Sequence, residues 1–263
     1  MNTRNQPVLD DRHYRRILGV KFFVGDAREA VRIGARGGLV VVPSAPALME
    51  LERDHEYRQA LLESDLAITD SGLLVLLWNA MMRDRIQRVS GLEYLKLLLL
   101  RPEFCEPGMV FWIMPSQSSL ERSLVWFKSQ GFPVTNGDCY VAPRYRSGPV
   151  HDDALIKRIN EKRPRHVIIA LGGGVQEKLG LYVKRNCPER PAVHCIGAAI
   201  GFLTGDQVRI PHWADQWILG WLFRCVSHPG RFVPRYVKAL QFPMILWRYR
   251  GRMPELRIES KSV

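Results

Sequence analysis

The chain has 263 residues, of which 46% are hydrophobic and 24% charged, and it carries a formal net charge of +12. This composition excludes a disordered or collagen-like chain, and the length is enough to bury a substantial core. The surplus charge calls for a polyanionic partner, either nucleic acid, an anionic lipid surface or a phosphorylated substrate.

In chain order, residues 1–20 are polar with scattered arginines and lack the apolar run of a signal peptide. Gly38–Val42 reads as a buried strand, with Ser44 capping a helical pattern over Pro46–Leu62. Leu66–Thr69 is a short strand ending at Asp70, and Leu73–Met82 is helical. Ser90-Gly-Leu-Glu93 is a capping box that opens a helix over Leu92–Leu100. Met109–Met114 is a strand, Ser116–Gln130 a helix, Val134–Val141 a strand and Asp152–Lys162 a helix. His166–Leu171 is the clearest buried strand. It is followed by Gly172-Gly173-Gly174, a helix through Arg185 and a last strand, Ala192–Ile196.

Strands alternating with helices predict an α/β fold, a mostly parallel Rossmann-like sheet with flanking helices. Ligands bind such sheets at the carboxyl ends of strands, which puts Asp70 and the Gly172–Gly174 loop on the functional edge. After about Gly205 no strand pattern survives. Between Gln207 and Arg252 eight Lys/Arg face one acid, Asp215, and four of the seven tryptophans lie here. The expected division is therefore a catalytic α/β domain, 1–205, and a basic, Trp-rich helical appendage, 206–263. No apolar stretch approaches the ~18–20 residues of a membrane span.

The candidate residues each carry two readings. Asp70 can act as a general base on a hydroxyl or cap the helix that follows it. Gly172, Gly173 and Gly174 can present backbone N–H groups to a phosphate, or simply form a tight turn. Their spacing is neither GxGxxG nor a Walker A loop, so neither NAD nor P-loop ATP binding is supported. Lys178 offers a further phosphate contact or a solvated face, and Arg88 meets a diphosphate or a surface acid. The small residues of Gly197–Gly205 permit close backbone approach to a ligand, or close packing. Trp213, Trp217 and Trp221 share one helix face, which is either core or an interfacial membrane face. The five cysteines form no CxxC pair, and His194, His212 and His228 have no ligand spacing with acids or cysteines. No metal site and no cofactor are expected, and the setting is reducing and cytoplasmic.

The order of these motifs resembles the WecG/TagA/CpsF family of glycosyltransferases over roughly residues 20–240. The resemblance rests on Ala60–Gly72 around Asp70, Arg88-Val-Ser-Gly-Leu-Glu93, and Leu171-Gly172 with Gln176-Glu177. Gly197–Gly205 and the run from Arg224 through Pro229 to Arg231 and Arg235-Tyr236 complete it. It implies metal-independent, inverting transfer of a sugar from a UDP donor to a polyprenyl-diphosphate-linked sugar. The setting it implies is peripheral, on the cytoplasmic face of the inner membrane, in exopolysaccharide or envelope polysaccharide synthesis. Asp70 matches the family's proposed catalytic base. Arg224, Arg231 and Arg235 lie on or beside arginines thought to hold the diphosphate and dock the anionic membrane. Ser44, Arg88, Gly172–Gly174 and Gln176 are the candidate donor contacts.

Several positions depart from the family pattern. Its Thr-x-Asn falls on Val42-Pro43-Ser44, its Pro-Asp-Gly on Thr69-Asp70-Ser71, and its loop proline is missing from Gly172–Glu177. These changes, with the length and basic tail, point toward the xanthan-type branch and UDP-glucose, ahead of a UDP-N-acetylmannosamine type donor. The rival readings are a non-catalytic basic nucleic-acid-binding protein and a family member that binds UDP-sugar without turnover. No RRM, KH or helix-turn-helix signature supports the former, so nucleic acid is not the expected partner. The oligomeric state is left open.

Overall fold

The computed structural model describes residues 13–145, 148–206 and 240–257. Eight strands form one sheet in the order β1-β2-β4-β3-β8-β7-β5-β6. They are β1 (Tyr14–Ile17), β2 (Val20–Phe23), β3 (Gly38–Val41), β4 (Leu66–Ile68), β5 (Val110–Met114), β6 (Cys139–Val141), β7 (His166–Ile169) and β8 (Ala192–Cys195). Among the described residues only the β1–β2 hairpin is antiparallel, and every other pairing is parallel. The central strands are apolar on both faces, as helix-covered parallel strands must be. Leu39 and Val41 of β3 face one core cluster and Val40 the other, and β7 alternates likewise.

The helices are α1 (Ala27–Gly34), α2 (Ala45–Leu48), α3 (His55–Leu62), α4 (Gly72–Met82), α5 (Gly91–Leu99), α6 (Gln117–Ser129), α7 (Asp153–Lys162), α8 (Val175–Asn186), α9 (Ala199–Thr204) and α10 (Phe242–Tyr249). The expected α/β architecture is present. The middle of the sheet, where β3 pairs β8, is where the half built from β1–β4 meets the half built from β5–β8. A crevice at the carboxyl edge opens at such a division, and the loops after β4, β3, β8 and β7 all reach it.

The structure corrects several elements. The helix expected over Pro46–Leu62 is broken into α2, a 3₁₀ turn at Met49–Glu52 and α3. The break comes at Asp54, whose carboxylate caps α3 by accepting the Tyr57 N–H at 2.9 Å. The strand expected over Val134–Val141 is cut to β6, because Asp138 folds back onto Thr135 in a 3₁₀ turn. The β1–β2 hairpin and α1 were not anticipated from the sequence.

The C-terminal end returns to the body. On α10, Phe242 and Leu246 are buried, and the helix packs against α4. The following residues bond the hairpin turn, with Leu18 N–H donating to Arg250 O at 2.7 Å. Residues 240–257, assigned above to the appendage, thus pack on the α/β body. Arg224, Arg231, Arg235 and the Trp213, Trp217, Trp221 stripe lie outside the described residues. Among the described residues no helix is long and apolar enough to cross a membrane.

Candidate active site

Asp70 follows β4 at the carboxyl edge, about 30% exposed at its side chain. It does not cap the helix after it, so that reading of Asp70 is overturned. The capping residue is Ser71, whose hydroxyl accepts the Leu74 N–H at 3.3 Å. Asp70 reaches instead across the chain, where its Oδ1 accepts the N–H of Gly91, the first residue of α5, at 2.8 Å. A carboxylate at a helix N-terminus is favoured by the unpaired N–H groups and the positive end of the dipole. The Ser90–Glu93 capping box consequently does not form, since Ser90 makes no side-chain cap bond. Asp70 Oδ2 has no hydrogen-bond partner among the described residues.

Arg88 works on the same group from behind. Its Nε donates to the Asp70 carbonyl at 2.7 Å, and its Nη2 lies 3.9 Å from Asp70 Oδ1. The loop that carries Arg88 is itself held to β4 and α4. Thr69 donates to Gln87 O at 2.8 Å, and Asn79 bonds both the N–H and the carbonyl of Ile86 at 2.9 Å. At the far end of this loop Asp84 binds Arg15 and Trp78, and the Arg15 hydrogen bond draws its carboxyl below the usual range. The acid is therefore fixed in position with one oxygen uncommitted. A Cβ at Gly91 would lie 3.6 Å from both Asp70 Oδ1 and Val42 Cγ2, ordinary contact distances, so it is the N–H of this residue rather than its size that serves the site.

Ser44 stands at the N-cap of α2 at the end of β3, though its hydroxyl does not make the capping bond. Gly172 and Gly173 are exposed after β7, and a Cβ on Gly172 would meet nothing within 4 Å. Packing therefore does not demand glycine at Gly172, and the open side has room for a ligand's approach. Gly174, at φ +93°, needs glycine for the turn. Its N–H is already spent on the buried Glu177 carboxylate at 2.7 Å, which leaves the N–H groups of Gly172 and Gly173 as the loop's candidate donors.

Gln176 is buried, and both polar ends of its side chain are used within the protein. Its Oε1 accepts the Gly197 N–H at 2.7 Å and its Nε2 donates to Glu177 at 3.1 Å. It ties the β7 and β8 loops together, so it acts by positioning them. Lys178 is neither a phosphate contact nor part of a solvated face. It is buried and pairs with Asp54 at 2.8 Å, which joins α8 to the cap of α3. Among the described residues no three His, Cys, Asp or Glu side chains are grouped to hold a metal ion.

Sequence reasoning missed the Asp70–Gly91 contact and the Glu177 cap. It also missed a buried chain beneath α5, where Tyr94 OH meets His194 Nδ1 at 2.9 Å and His194 Nε2 meets His166 Nδ1 at 3.1 Å. No spacing rule finds the buried chain, because its members come from one helix and two separate strands. Burial pulls the His166 imidazole down to about 4 and that of His194 well below its ordinary value.

Comparison with known proteins bears on this site. The family described as "Glycosyl transferase WecG/TagA/CpsF family" matches residues 15–255. The chain is 24% identical over 191 residues to N-acetylglucosaminyldiphosphoundecaprenol N-acetyl-beta-D-mannosaminyltransferase of Bacillus subtilis strain 168, covering 70% of this chain and 71% of that protein.

Proposed function

The chain belongs to the WecG/TagA/CpsF family and is a glycosyltransferase; from that premise we propose that it moves a sugar from a UDP donor to a polyprenyl-diphosphate-linked sugar, with inversion. The observation that carries the reading is Asp70, a strand-end carboxylate with Oδ1 anchored on Gly91 and Oδ2 uncommitted. In the proposed step the acceptor hydroxyl gives its proton to Asp70 as its oxygen bonds the anomeric carbon. The bond from that carbon to the donor diphosphate breaks, and UDP leaves with the electron pair. Gly172 and Gly173 offer N–H groups to the diphosphate, and Arg224, Arg231 and Arg235 offer charge from outside the described residues. Arg88 serves chiefly by holding Asp70.

The lipid half of the substrate gives a reason for apolar surface near the acid. Helix α4 begins two residues after Asp70, and its Leu76 is 55% exposed. On α10, which packs against α4, Met244 is 71% and Trp247 62% exposed, with Arg248, Arg250 and Arg252 following in the chain. Exposed apolar groups beside cations suit a protein seated on an anionic leaflet, here assigned to the cytoplasmic face.

On the donor, the order given above is reversed. The UDP-glucose preference finds no support in the relative, whose name specifies an N-acetylmannosaminyl group. UDP-N-acetylmannosamine therefore comes first. UDP-glucose stays as the second reading because Val42 and Pro43 bring no polar side chain to the end of β3, and Val42 packs toward Gly91. The test is UDP release and glycolipid mass with each donor, a short-chain polyprenyl-diphosphate N-acetylglucosamine acceptor, and EDTA present. Transfer from at least one donor supports the proposal. Donor binding without product from either, or release of UDP that does not depend on acceptor, would overturn it.

A further inference from the structure

Arginines collect at the opposite edge of the sheet, far from Asp70. The three central neighbours β3, β8 and β7 begin side by side, with Gly38 and His166 both registered on Ala192. The residues leading into them line a cleft of about 200 Å³: Arg36 and Gly37 before β3, Arg163 and Arg165 before β7, and Glu189 and Arg190 before β8. Pro164 and Pro191 stiffen two of these segments, so the backbone that carries the guanidinium groups is preset.

Counter-charges do not absorb this cluster. Arg163 lies 4.0 Å from Glu189, and Arg165 lies 3.4 Å from Glu103, which also serves Arg101. Arg36 and Arg190 have no carboxylate partner among the described residues. Helices α1, α7 and α8 end at this edge, and each contributes roughly half a negative charge. Four guanidinium groups outweigh those ends and Glu189 together. Like charges gathered in one concavity favour an anion that bridges them.

We propose that this cleft is a second anion site, taking a phosphate or diphosphate group from a ligand other than the sugar donor. Size decides the class: pockets for drug-sized ligands run about 300–1,000 Å³, and this one is smaller. Arginine's planar fork is suited to phosphate oxygens. The source is a free, soluble anion. Gly172 lies seven positions beyond Arg165, roughly 20 Å along a strand, so a bilayer at the carboxyl edge does not reach the cleft.

The test uses the full-length protein at fixed ionic strength, titrated with sodium pyrophosphate while backbone amide signals are followed. Saturable shifts at Gly37, Arg190 and Ala192 are expected. They should weaken at least tenfold in Arg36→Gln/Arg190→Asn, with the unfolding temperature unchanged; Asn is chosen because Arg190 sits at φ +49°, which Asn tolerates. Linear shifts matched by chloride, or saturable shifts confined to Gly91 and Gly172–Gly173, would overturn the site. A double variant that unfolds more easily and never shows saturable binding would mean that the arginines serve only the helix ends. Flotation on phosphatidic acid vesicles separates the two sources. Flotation unchanged in the double variant supports the free anion, and flotation lost with it would overturn that source in favour of a headgroup.

Discussion

The same parallel strands end among backbone N–H groups and two anchored acids, and begin among arginines. At the carboxyl edge the N-termini of α5 and α8 meet Asp70 and Glu177, two carboxylates that each take a backbone N–H. At the amino edge, where helix C-termini gather, Arg36, Arg163, Arg165 and Arg190 face one lining acid. Parallel topology sorts the two edges, because every βα crossover turns its helix dipole the same way. The edge suited to a leaving diphosphate needs few cations of its own, and the net charge of +12 is not confined to the tail.

The contrast can be tested at both edges. The largest effect expected is on stability, near the amino edge. With the folded His166 pKa near 4 against 6.5, the unfolded chain binds the extra proton between those values. Stability is therefore full above about pH 6.5 and falls as pH drops through that window, His166 alone accounting for about 2 kcal/mol by pH 5 and His194, held lower still, adding in the same direction. Denaturant midpoints at pH 7 and pH 5 check this, and equal midpoints would refute it. Next, Gly91→Pro removes the N–H that holds Asp70, at a first helical position where proline is tolerated after the extended Ser90. A fold left intact with kcat down on the order of 10²-fold is expected, because misplacing a catalytic group costs about that much. Third, a Cβ at Gly180 would lie 2.7 Å from Cys195 Sγ and from Leu39 Cδ1, so Gly180→Ala should cost about 1–3 kcal/mol by pushing α8 off the sheet. The smallest effect is Arg163→Gly. Arg163 caps α7 at φ +48°, and glycine there should raise stability by about 0.5–1 kcal/mol in thermal melts.

What the sequence made legible follows from range. The short apolar runs of β3, β4 and β7 report burial on both faces, and their alternation with helices places Asp70 and Gly172 on one edge without coordinates. The order of motifs pointed to the family. The hairpin was hidden because Arg15, Arg16 and Lys21 break the apolar pattern in strands of four residues. Helix α1 did carry a signal, Asp26 three residues before Glu29, whose N–H its carboxylate accepts at 2.7 Å. The Ser90–Glu93 pattern misled for a physical reason: a carboxylate 21 residues earlier competes for that helix end and wins it. Lys178 and Gln176 misled similarly, because their spacing says nothing about Asp54 or Gly197, which approach only in three dimensions.

The central claim is that Asp70 takes the acceptor's proton. Asparagine keeps an acceptor for the Gly91 N–H and loses the base, so Asp70→Asn separates anchoring from chemistry. UDP-sugar affinity by calorimetry and single-turnover transfer should be measured on the same preparation. Unchanged donor affinity with transfer slowed by about 10²–10⁴-fold is the result predicted. Transfer near the normal rate in the folded variant would contradict the account, as would loss of donor affinity in step with turnover.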